Sequence, residues 1–74
     1  MLFRSATPVY VEAANGHAEA IEALARLGAD VNRAMNNGTT PVLIAAYNGH
    51  LEAIEALARL GADVAGVLRG LGAR

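Results

Sequence analysis

The sequence predicts an all-α fold in which helix-turn-helix repeats stack side by side, as in a short piece of a solenoid. Residues 7–31 and 40–64 lie 33 positions apart and differ at only five aligned positions. Such a period is typical of units that bury their apolar faces against their neighbours. Each copy also holds two segments with helical apolar spacing, separated by a glycine. We therefore expect one domain over residues 1–74, with repeat 1 at about 3–34, repeat 2 at about 36–65 and a tail at 66–74.

The first helix of each repeat is expected to begin at a Thr-Pro pair. A threonine hydroxyl can accept a hydrogen bond from an unpaired amide at a helix start, and the fixed φ of proline suits the first helical position. Thr7 and Thr40 are therefore the predicted N-caps. Gly16 and Gly49 follow eight residues after the prolines, where a left-handed residue would end the helix and redirect the chain.

The second helix is predicted in "HAEAIEALARLG" and again in "HLEAIEALARLG". Leucines and isoleucines at spacings of three indicate one apolar face, which we expect to form the core. Acid and base four residues apart on the other side predict an ion pair within each helix. The predicted core residues are Ile21, Leu24 and Leu27 with Ile54, Leu57 and Leu60, and the predicted pairs are Glu22 with Arg26 and Glu55 with Arg59.

The segment "ADVNRAMNNGT" joins the two repeats and contains an Asn-Asn-Gly turn signal. It predicts an extended, β-hairpin-like loop between the helix pairs. Each unit thus runs helix, turn, helix and extended loop.

Composition excludes several classes of function. The six basic residues are arginines scattered along a chain of net charge −1, which predicts no nucleic-acid partner. The chain has no cysteine, so disulfides and thiolate metal sites are excluded. The uncharged window 34–51 contains asparagine, glycine and proline, so we expect no transmembrane segment and no membrane partner. The N-terminus lacks a long apolar run, which predicts a cytoplasmic or nuclear protein that is not secreted.

Histidines and carboxylates are the only candidates for chemistry. His17 and His50 occupy equivalent positions, which stacked helices would hold about 8–10 Å apart, whereas ligands of one metal lie about 2 Å from it. We favour structural histidines over a metal pair or a catalytic base. We also favour solvated carboxylates over a general acid–base pair, because their spacing places them on the outer face. These carboxylates are Glu19, Glu22, Glu52 and Glu55. With no recognisable triad and no phosphate-binding loop, we expect no enzyme, no cofactor and no metal.

The stretch "TPVLIAAYNGHLEAIEALARLGADV" resembles an ankyrin repeat in its Thr-Pro opening, its Gly-His between helices and its Gly-Ala-Asp-Val exit. The resemblance covers residues 7–65, twice at the family's own period. Tyr10 and Leu43 replace the histidine that usually follows the opening. Met35 replaces the aspartate that usually anchors the hairpin.

The resemblance implies a protein-interaction module that binds a protein partner through its hairpin tip and the exposed face of its first helix. Tyrosine and arginine are frequent hot-spot residues, and asparagine offers adaptable hydrogen bonds. The alternative for Tyr47 is that it packs against a neighbouring repeat. The matching residues are Arg33, Asn36, Asn37, Thr39, Tyr47 and Asn48, and in the first repeat Phe3, Arg4, Ala14 and Asn15.

Two further expectations concern modification and assembly. "LARLGADVN" resembles the pattern that asparaginyl hydroxylases accept in ankyrin repeats, which makes Asn32 a candidate for hydroxylation. Two repeats leave apolar end faces that longer arrays cover with caps. The alternative function is therefore a structural fragment, excised from or engineered out of a longer array, that self-associates as a homo-oligomer and has no separate partner. The tail 66–74 is either a frayed end or a hidden cap.

Overall fold

Within residues 7–65, four short helices lie in two layers. The computed structural model describes residues 7–65. Helix α1 spans Pro8–Ala14, α2 spans Ala18–Arg26, α3 spans Pro41–Tyr47 and α4 spans Leu51–Arg59. Helices α1 and α2 form one antiparallel pair and α3 and α4 the next, with α1 packed against α3 and α2 against α4. This arrangement confirms the predicted all-α stack of helix-turn-helix repeats.

The helix boundaries follow from local chemistry, as the sequence predicted. The Thr7 Oγ1 accepts a hydrogen bond from the Tyr10 N–H at 3.2 Å, and the Thr40 Oγ1 accepts one from the Leu43 N–H at 3.3 Å. Each hydroxyl pairs an amide that has no partner inside its helix. Gly16, with φ of +77°, turns the chain from α1 into α2 in the left-handed conformation that favours glycine.

The core lies between the two helix pairs. Five of the ten residues buried there are alanine, so little apolar volume is buried per residue. Within residues 7–65 no buried side chain is polar or charged. The buried residues are Val9, Ala13, Ile21, Pro41, Val42, Ala45, Ala53, Ala56, Leu57 and Ala62.

Leu27 does not belong to this core, so one predicted core position was wrong. Its side chain is 84% exposed, whereas Leu24 and Leu60 are half-buried against the core. Leu60, at the equivalent position, is covered because its side of α4 faces repeat 1. The same side of α2 faces away from repeat 2.

Both predicted ion pairs within helices, Glu22 with Arg26 and Glu55 with Arg59, were also wrong. The Arg59 Nη2 instead donates to the Glu22 Oε2 at 2.7 Å, across the boundary between the repeats. Stacking places α2 beside α4, so an acid on the neighbouring helix competes with the acid one turn away on the same helix. The contact joins the second helices of the two repeats.

The segment between α2 and α3 contains a tight turn at its tip. The Gly38 N–H donates to the Met35 carbonyl, and the Met35 N–H donates to the Thr39 carbonyl, both at 2.9 Å. The Asn37 Oδ1 accepts the Thr39 N–H at 2.9 Å. This turn lies where the Asn-Asn-Gly signal predicted it, but no β-strand is present in residues 7–65. The paired arms of a hairpin therefore stay a prediction.

Candidate protein-binding surface

The loop tip presents three of the predicted partner-binding side chains to solvent. Arg33, Asn36 and Asn37 are exposed, and Thr39 is half-buried. The Asn37 side chain also closes the turn through its bond to the Thr39 amide, so its carboxamide oxygen is already in use. Its NH2 group and the side chains of Arg33 and Asn36 are the polar groups that this tip can offer to a protein.

Tyr47 ends α3 with a large exposed surface. Its residue is 70% exposed, and its aromatic ring brings both apolar area and a hydroxyl to the surface. The equivalent position in repeat 1 is Ala14, at the end of α1. The large side chain at this position is therefore confined to repeat 2.

Asn48 has a structural contact that the sequence analysis missed. Its Nδ2 donates to the Ala14 carbonyl of repeat 1 at 2.9 Å, which ties the end of α3 to the end of α1. The side chain is nevertheless exposed, so its Oδ1 can still accept a hydrogen bond from a partner. Asn15 is the equivalent residue of repeat 1 and is also exposed. The recurrence of asparagine after both first helices was the available signal for a shared structural role.

Two predicted contact residues, Phe3 and Arg4, lie outside the described residues, and so does the tail 66–74.

Asn32 makes a further hydrogen bond between the repeats. Its Oδ1 accepts the Asp63 N–H at 2.9 Å, and its own N–H donates to the Asp30 Oδ1 at 2.9 Å. The Asp63 Oδ1 likewise accepts the Ala65 N–H at 3.0 Å, so the turn after α2 recurs after α4. The residue is exposed. The candidate for hydroxylation thus holds two neighbouring turns in place.

The two histidines have different surroundings although their sequence contexts match. The His17 Nδ1 contacts the Glu12 Oε1 at 2.5 Å, and both groups lie at the surface. The equivalent of Glu12 in repeat 2 is Ala45. The His50 ring instead covers Gly16, where an added Cβ would lie 2.6 Å from the His50 Nδ1. This packing gives His50 a role between the repeats that His17 lacks in residues 7–65.

The candidate acid–base carboxylates are divided among separate environments. Glu19 and Glu52 are exposed beside a shallow depression of about 410 Å³ at the N-terminal ends of α2 and α4, which His17 also lines. Glu22 is held by Arg59, and Glu55 is exposed. No group of three or more histidine, aspartate or glutamate side chains suited to a metal ion occurs within residues 7–65. In the same part of the chain, none of the helices is long and apolar enough to span a bilayer.

Comparison with known proteins identifies the family but no individual relative. No curated protein matches the chain. A family model described as "Ankyrin repeats (3 copies)" matches residues 3–66, which is most of the 74-residue sequence. This match agrees with the paired helices, the capping threonines and the 33-residue period. The chain belongs to the ankyrin repeat family.

Proposed function

We propose that this chain binds a protein partner through the loop tip and the exposed end of α3. Ankyrin repeats are generally protein–protein interaction modules rather than enzymes. The observation that carries the proposal is the 70% exposed Tyr47, an aromatic residue of the type that contributes most to protein interfaces. Arg33 and Asn36 supply a charge and an amide at the loop tip, and Asn48 supplies an amide beside Tyr47; all three are exposed.

The chemistry of the partner follows from these groups. A tyrosine ring needs a shallow apolar cavity with an acceptor for its hydroxyl, and an arginine pairs best with a carboxylate. The asparagines suit main-chain amides of an exposed segment. A partner with an apolar patch beside acidic groups fits this surface, and the scattered arginines predict no nucleic-acid partner. A cytoplasmic or nuclear location remains a prediction.

The double substitution Tyr47→Ala with Arg33→Ala tests this surface. We expect it to weaken binding at least about tenfold, because each residue type commonly contributes 1 kcal/mol or more at an interface. The helical circular dichroism signal should be unchanged, because both side chains lie outside the core. Mass spectrometry would identify the proteins retained by three immobilised chains, which are the original chain, the double variant and the control Glu52→Ala. Retention of the same proteins by the double variant would contradict the proposal.

Hydroxylation of Asn32 is a separate proposal. It is supported by the exposure of Asn32 and by its place after an Ala-Asp-Val exit turn with Leu24 eight residues before. Incubation with an asparaginyl hydroxylase, followed by peptide mass spectrometry, should add one oxygen to Asn32. The variant Asn32→Asp serves as the control for site assignment, and an unmodified Asn32 peptide would refute the proposal. Self-association, the alternative function, concerns the ends of the stack.

A further inference from the structure

Equivalent residues of the two repeats differ in burial, and the differences define two end faces. On one side of repeat 2, Ala46, Gly49 and Ala58 are more exposed than their counterparts in repeat 1. Repeat 2 covers the matching side of repeat 1, where the ring of His50 lies on Gly16 and Arg59 binds Glu22. We call this side of repeat 2 the C-terminal end face, and its residues are Ala46, Gly49, Ile54, Glu55 and Ala58.

The opposite side of repeat 1 shows the reverse difference. Pro8 and Leu27 are exposed, whereas Pro41 and Leu60 at the equivalent positions are buried or half-buried. Ala20 and Leu24 are likewise less buried than Ala53 and Leu57. We call this side of repeat 1 the N-terminal end face, and its residues are Pro8, Ala20, Leu24, Arg26 and Leu27.

We propose that the C-terminal end face of one copy docks onto the N-terminal end face of a second copy, in the register of the internal repeat boundary. This deepens the alternative function of self-association and does not rest on the proposed partner binding. The internal boundary shows that faces of this composition fit each other, because the chain already packs one on the other. The apolar half of the contact would bring Leu24 and Leu27 of one copy against Ile54 and Ala58 of the next.

Charge supports the same register. Within the chain, Arg59 of repeat 2 binds Glu22 of repeat 1 at 2.7 Å. Their equivalents are Arg26 on the N-terminal end face and Glu55 on the C-terminal end face, and both are exposed. Head-to-tail docking therefore brings Glu55 of one copy to Arg26 of the next, with opposite charges facing each other.

Further ties of the internal boundary have equivalents at the end faces. Asn48 donates to the Ala14 carbonyl inside the chain, and between copies Asn15 would donate to the Tyr47 carbonyl. His17 would cover Gly49, where an added Cβ has no neighbour within 4 Å.

One hydrogen bond of the internal boundary is lost between copies. Within the chain Asn32 accepts the Asp63 N–H, but its equivalent in repeat 2 is Ala65, which has no side-chain acceptor. His17 must also leave Glu12 to cover Gly49. The contact between copies is therefore weaker than the internal boundary. Because it joins two different faces, it is heterologous and adds copies one after another unless the rotation closes a ring.

Charge reversal tests the register. In sedimentation experiments on the 74-residue chain we expect a weight-average mass that rises with concentration. Glu55→Arg and Arg26→Glu should each weaken association about fivefold, because each places like charges at the contact. Glu52→Arg, an equal change of charge three residues before Glu55, should not weaken association, because in this register Glu52 lies beside Glu19 and not beside an arginine.

Mixing the two variants gives a sharper result. Glu55→Arg and Arg26→Glu chains repel their own kind but attract each other at both contacts, so an equimolar mixture should associate as strongly as the original chain. Ala58→Arg should abolish docking sterically while circular dichroism at low concentration shows an intact fold, since arginine favours helix. These variants leave Tyr47 and Arg33 in place, so partner capture is tested separately.

Three outcomes would overturn the proposal. One is a single folded copy at all concentrations, as would result if residues 66–74 covered the C-terminal end face. Another is equal association of Glu55→Arg, Arg26→Glu and Glu52→Arg. The third is a mixture that associates no better than its components.

Discussion

Helices α2 and α4 are almost the same peptide in two positions of one stack. They differ only at Ala18 and Leu51, yet Leu57 is fully buried and its equivalent Leu24 is half-buried. Glu22 holds an arginine of the other repeat, whereas Glu55 is exposed. Position within the stack, and not local sequence, therefore sets how much each of these residues contributes to stability.

The largest expected effect separates Leu57 from Leu24. Leu57→Ala should lower the free energy of unfolding by about 2–5 kcal/mol, because it opens a cavity in a closed core. Leu24→Ala should cost about half as much, because part of that side chain is already in water. Urea denaturation at one low protein concentration measures both. Equal costs would contradict the assignment of these helices to different environments.

Gly16 and Gly49 extend the comparison to the turns between helices. Both have φ near +77°, so Gly→Ala should cost about 1 kcal/mol at either position through backbone strain. Gly16→Ala should cost roughly 1 kcal/mol more, because the added Cβ would displace the His50 ring. In a His50→Ala background the two penalties should become equal. A surviving difference there would mean that His50 is not its cause.

The smallest expected effect separates Arg59 from Arg26. Arg59→Ala should lower the free energy of unfolding by about 0.2–1 kcal/mol, because its bond to Glu22 is largely exposed. This loss should shrink in 1 M salt, which screens surface charges. Arg26→Ala should have no measurable effect on a dilute single copy. Thermal unfolding at two salt concentrations measures both variants. Equal losses of stability would mean that Arg26 also forms an ion pair.

Features that depend on nearby residues could be predicted from the sequence. Thr40 caps α3 through an amide three residues away, and Gly16 ends α1 through its own φ. Leu27 and the partner of Arg59 could not be predicted in this way, because both copies have the same letters there. Whether Leu27 or its equivalent Leu60 faces a neighbouring repeat depends only on the order of the repeats in the stack.

The binding surface was predictable in outline and not in its details. Tyr47 lies at the end of α3, and the equivalent residue at the end of α1 is alanine, so the exposure of Tyr47 could be expected. The ties of Asn48 and Asn32 join residues 34 and 31 positions away. Their acceptor and donor are main-chain groups, which have the same chemistry in every residue, so the sequence did not show which residue each asparagine binds.

These main-chain ties have a consequence for how such a chain can change over time. The Asn48 side chain binds the carbonyl of Ala14, and any amino acid at position 14 offers that carbonyl. A unit attached in this way can be duplicated, and its neighbour can drift in sequence, with no compensating mutation at the joint. The first helices have diverged at four positions, which are Tyr10, Val11, Glu12 and Ala14 in α1 and Leu43, Ile44, Ala45 and Tyr47 in α3. New recognition surfaces can therefore arise on these helices while the frame that carries them is inherited unchanged.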